Sequence, residues 1–228
     1  MIAHKKEFGG GLLMMAGFWV VFVIIMSPVF GGKNILDYMD SLYNSISKKS
    51  AYYVPDMQTK AQAFNGTAID VKIKAENKRA AARIAELLTV SGATVEENAG
   101  ELRVSGDLGV LLANVLTDAD AMFANNGDVL RNKYGFDGKQ VLYDWSTTLQ
   151  AMEKSLTKGE MFKESKLLYQ VRTKSIEPAY NYFGIEAQSI KDKAVIVVMS
   201  LVGYVIYTMW FGFSILFMFE GWGLKLEH

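Results

Sequence analysis

Two long uncharged runs, one near each end, constrain this chain more than any other feature. Leu12 to Phe30 carries no charge, and its 19 residues would reach roughly 28 Å as a helix, close to the roughly 30 Å hydrocarbon core of a bilayer. Ala194 to Phe219 is also uncharged, and its 26 residues would reach roughly 39 Å, so it must tilt or extend its ends into the headgroup region. Tyr207, Trp210 and Trp222 suit that interfacial placement. Lys5 and Lys6 before the first run resemble the start of a signal peptide. The run exceeds a usual signal core, however, and no small-residue cleavage pattern follows it.

The expected fold is therefore a membrane protein whose two transmembrane helices flank an α+β, mainly helical soluble domain. The boundaries are an N-terminal tail 1–11, a span 12–30, a soluble region 33–193, a span 194–219 and a C-terminal tail 220–228. Two spans place both termini on one side of the bilayer. Lys5 and Lys6 favour a cytoplasmic N-terminus, whereas Lys33, Lys48, Lys49, Lys191 and Lys193 argue the reverse. Long domains translocate largely regardless of charge, so the expected arrangement is an inner or plasma membrane protein with its domain outside the cytoplasm. Leu226, Glu227 and His228 have the form of a vector-derived tag junction, which would leave His4 as the one native histidine.

Between the spans, Asn34 caps a predicted helix over 34–49 with Ile35, Met39, Leu42 and Ile46 on one face. Residues 50–66 read as a connector. The period changes to two at Thr67, where Ile69, Val71 and Ile73 alternate with Asp70, Lys72 and Lys74. An alanine-rich helix over 76–90 follows. Two short strands, 93–97 and 101–105, then flank Asn98-Ala99-Gly100, and Asp107 caps an amphipathic helix. The resulting β-α-β-β-α order over 67–124 is similar in arrangement to the ring-building modules of bacterial secretion machines and to other α+β modules, a likeness of element order without motif residues.

After a turn-rich stretch, Leu142, Trp145, Leu149, Met152 and Leu156 mark a narrow apolar seam. Phe162, Tyr169, Ile176 and Phe183 recur every seven residues in a further helical stretch that Pro178 should kink. Residues 34–49 and 139–183 together suggest a membrane-proximal helical bundle into which the α/β module is inserted.

The catalytic inventory is thin. The chain has no cysteine and two histidines, which argues against thiolate metal sites and Ser-His-Asp or Cys-His machinery; no cofactor is expected. The carboxylate pairs Glu96-Glu97 and Asp118/Asp120, with Asp144, Glu153 and Glu164, read as solvated surface. Gly9-Gly10-Gly11 lacks phosphate-loop spacing and reads as a flexible lead-in to the first span. Lys72, Lys74, Lys78, Arg79 and Arg83 form the best basic cluster. With 24 basic and 24 acidic residues and no interleaved aromatics, no nucleic-acid partner is expected.

The candidate site lies in the second span, where Ser200, Gly203, Tyr204, Tyr207, Thr208 and Ser214 fall on one side. Hydroxyls in hydrocarbon need partners and small residues permit close helix approach, so this side is expected to pack against protein. Its partners are the lipid bilayer and a second copy or another membrane protein. The leading expectation is a non-enzymatic, homo-oligomeric membrane-anchored assembly or binding protein. An oligomeric channel or transporter component and a two-span ligand-sensing subunit are the alternatives.

Overall fold

The computed structural model describes residues 2–29, 31–98 and 101–224. The proposed tag junction at 226–228 and most of the loop at 98–100 lie outside them. The described residues are mostly helical with one three-stranded sheet, and two of their helices are long and apolar enough to cross a membrane. The chain divides into two compact units, one of Met1–Ile46 with Ala187–His228, the other of Ser47–Glu186. The first boundary between them falls inside a helix, and the second in the non-helical stretch before the terminal helix.

The first unit contains α1 (Lys5–Met26), most of α2 (Ile35–Ser50) and the long terminal helix α10 (Ile190–Trp222). α1 starts seven residues before the uncharged run, so Gly9, Gly10 and Gly11 lie inside a helix and not in a flexible lead-in. The reason is packing. A Cβ on Gly11 would stand 2.7 Å from the Met218 nitrogen and 2.9 Å from the Ser214 carbonyl, so glycine lets the backbones of α1 and α10 touch. Gly221 makes a similar approach to the Phe8 backbone. Phe18 stacks on Tyr207 at 4.4 Å between ring centroids, and the Trp210 indole donates to the Met14 carbonyl at 3.0 Å. Asn34 caps α2 as expected, accepting from the Asp37 amide at 2.8 Å. α2 is tied to the start of α10 by a Tyr43–Ser200 hydroxyl pair at 2.6 Å and by the Gln188 amide donating to the Ser45 carbonyl at 3.0 Å.

The second unit is built on a sheet ordered β1-β3-β2, with β1 (Ala68–Lys74) and β2 (Thr94–Asn98) both antiparallel to β3 (Glu101–Asp107). Val104 stands opposite both Val71 and Val95 in the register. The alternation in β1 sends Ile69, Val71 and Ile73 inward and Asp70, Lys72 and Lys74 to solvent. α4 (Lys78–Val90), capped by Asn77, and α5 (Leu108–Phe123), capped by Asp107, bury the apolar faces their periodicity marks. The β-α-β-β-α order over 67–124 is present.

Four expectations change. Residues 50–66 include α3 (Val54–Gln62), started by Pro55 in its first turn and anchored by Val54, Met57 and Ala61. The turn-rich stretch includes α6 (Gly127–Tyr134), closed by Gly135 in the left-handed region. The seam helix α7 (Gly138–Lys158) buries Val141, Asp144 and Thr148 as well as its five seam residues, and it packs on β1 and α4 to α6. It thus belongs to the same core as the sheet, instead of forming a separate bundle around an inserted module.

Finally, the stretch after Gly159 breaks into α8 (Phe162–Val171), a π-helical turn Arg172–Ile176 and α9 (Glu177–Asn181). Pro178 cannot donate to Lys174, one turn back, and its ring would crowd that carbonyl; the π turn widens the helix at this point. The extra residue rotates the buried face. Phe162 and Tyr169 are exposed, and Leu167, Leu168 and Val171 occupy the core in their place.

Candidate functional site

The six residues singled out in the second span divide between two sides of α10. Ser214 is fully buried, Tyr207 lies against Phe18, and Ser200 meets Tyr43, so these three, each seven residues apart, turn toward α1 or α2. Gly203, Tyr204 and Thr208 face away. A Cβ on Gly203 would meet nothing within 4 Å, and Tyr204 is 66% exposed. Thr208 satisfies its hydroxyl on its own helix, donating to the Tyr204 and Val205 carbonyls at 2.9 Å each. The glycines that allow close backbone approach between the first unit's helices α1 and α10 are Gly11 and Gly221.

The second unit holds buried polar groups that the sequence reading placed at the surface. Asp118 projects from α5 into the core with its side chain 1% exposed, accepting from Lys133 at 2.6 Å, Tyr134 at 2.6 Å and the Trp145 indole at 2.9 Å. Asn114 extends the network to Lys133, Tyr134 and Ser91. Burial first, and the neighbouring Asp118 carboxylate second, push the Tyr134 phenol well above its ordinary range. Asp120, two residues on, instead accepts at the surface from Tyr52, whose phenol that hydrogen bond pushes up to about 12.

Asp144 is the second buried carboxylate. Arg83 from α4 binds it through two nitrogens, Nε at 2.5 Å and Nη2 at 3.0 Å, and Gln140 adds a third bond at 3.0 Å. The pairing holds the Arg83 guanidinium above its already high range. Beside the pair lies a cavity of about 60 Å³ whose lining includes Glu76, Tyr143 and Thr148. The Thr148 hydroxyl is buried and has no hydrogen-bond partner among the described residues.

A third buried charge, Lys48, donates to Asn125 at 2.8 Å and to the Ile185 carbonyl at 2.7 Å, over the Phe123 ring. Asn125, at φ 62°, also bonds Gly184 and Ile185, so the two ends of the second unit are tied together. Burial lowers the Lys48 ammonium below its ordinary range, and Glu186 partly offsets that.

No protein-family model, curated protein or solved structure matches the chain. Among the described residues no group of three or more histidine, aspartate or glutamate side chains is placed to hold a metal ion. Of the basic cluster read from sequence, Arg83 is committed to Asp144, and Lys72 and Lys74 point from the open face of the sheet.

Proposed function

We propose that this chain is a non-enzymatic membrane-anchored assembly or binding protein. α1 and α10 cross the bilayer as a closely packed hairpin, and the domain between them engages a partner near the membrane surface. The observation that carries this reading is the outer surface of α10. Val195, Met199, Leu201, Tyr204, Val205 and Ile206 are each more than half exposed, a continuous apolar surface that water does not tolerate and lipid does. The same helix presents Gly203 with open space around it, which favours association with a second copy through that side.

The domain lies outside the cytoplasm in this reading, and both termini lie on the opposite side. Protease treatment of sealed vesicles tests it. Domain and termini should be cleaved from opposite sides, and cleavage of all three from one side, or release of the chain by alkaline carbonate, rejects the two-span anchor.

A further inference from the structure

The cavity beside Arg83 combines features that the fold alone does not require. Its lining includes apolar Ile73, Ala80, Ile84 and Ala151, together with Arg83 and the buried hydroxyl of Thr148. Arg83 commits Nε and Nη2 to Asp144, and among the described residues Nη1 has no hydrogen-bond partner. Thr148, one helical turn after Asp144, is 1% exposed and leaves its hydroxyl unsatisfied. A buried hydroxyl without a partner is unfavourable, and valine would fill the same space without that penalty. Two donors on residues that line one cavity match the two oxygens of a carboxylate. The same lining includes the exposed Glu76, whose carboxylate accepts from the Tyr143 hydroxyl at 3.4 Å.

We infer that this cavity binds a small zwitterion of amino-acid type, its carboxylate on Arg83 Nη1 and Thr148 and its ammonium toward Glu76. Size limits the class. A single water needs about 10–15 Å³ on the same measure, so a cavity of about 60 Å³ holds about four to six heavy atoms, as many as glycine has. The apolar lining residues suit the α-carbon, and the volume leaves no space for a long side chain. Asp144 stays saturated by Arg83 and Gln140 and serves to hold the guanidinium in place. The inference concerns the second unit alone and does not depend on whether α1 and α10 cross a membrane.

The test is titration of the full chain in mild detergent with glycine, acetate and methylamine, followed by saturation-transfer NMR. Glycine should bind saturably and more tightly than either fragment. Thr148→Val should weaken glycine about three- to tenfold, the worth of one hydrogen bond, without lowering the unfolding midpoint of the ligand-free chain. Glu76→Gln, at an exposed position, should bring glycine down to the affinity of acetate and leave acetate unchanged. Absence of saturable binding, equal glycine binding by wild type and Thr148→Val, or two or more ordered waters filling the cavity at saturating glycine would overturn the assignment.

Discussion

Asp118 and Asp120 are two residues apart on one helix, and replacing each with asparagine separates the consequences of their placement. At Asp118 the substitution keeps the shape but removes the charge and turns one acceptor into a donor. If the amide oxygen stays on Tyr134 and Trp145, those two bonds fall from charge-assisted to neutral, a loss of about 1 kcal/mol each. The amide nitrogen then faces the Lys133 ammonium, donor against donor, and about 1–2 kcal/mol more is lost with that ion pair. The sum is about 3–4 kcal/mol. At Asp120 the side chain accepts from the exposed Tyr52 hydroxyl, and asparagine can still accept from it, so the cost stays below about 0.5 kcal/mol. Hydrogen–deuterium exchange of peptides from α5 and α7 reads this locally, without interference from the hairpin. Because about 1.4 kcal/mol corresponds to tenfold, Asp118→Asn should speed exchange by at least a hundredfold under equilibrium opening, and Asp120→Asn by less than about threefold. Similar protection in the two variants would refute the claim that the Asp118 network holds the core together.

The hairpin is tested by Gly11→Leu, which meets the backbone of α10 and should disrupt α1–α10 packing, measured as loss of a cross-link between cysteines introduced at positions 14 and 210; Gly203→Leu should leave that cross-link intact and reduce oligomer in mild detergent. A Gly203→Leu chain with an unchanged oligomer distribution would remove that side of α10 as an association surface. High pH separates Lys48 from Tyr52. The folded chain gives up the Lys48 proton before the unfolded chain does, so stability rises with pH between the lowered value and 10.5, and Lys48→Met should abolish that rise. Tyr52 has the opposite sign: the unfolded phenol ionises near 10.0 and the folded one near about 12, so its contribution is complete below the first value and lost through the second, and Tyr52→Phe should remove that loss in denaturant titrations.

The placement of these charges explains how far the sequence could be read. Period-two alternation exposed β1 because one face of the sheet is solvated, and α5 and α7 were legible because their apolar residues recur at helical spacing. α3 and α6 were not, since each is short and starts among residues that equally suit turns. The π turn was hidden because Pro178 indicates an interruption without specifying which way the face rotates. Asp118 did leave a signal. With Leu111, Val115 and Met122 it falls at steps of four, three and four, so an acid occupies the apolar stripe of its own helix; Asp144, between Val141 and Thr148, repeats the pattern. A charge on such a stripe either disrupts the core or meets a partner from another element, and in this fold Arg83 comes from α4 and Lys133 from α6. Neither partner is close in sequence to the acid it meets. Periodicity therefore locates a buried charge while topology supplies its counter-charge, and the same reasoning sets Thr148 apart: it sits on the stripe of α7, one turn beyond Asp144, and no element of the described chain supplies its hydroxyl with a partner.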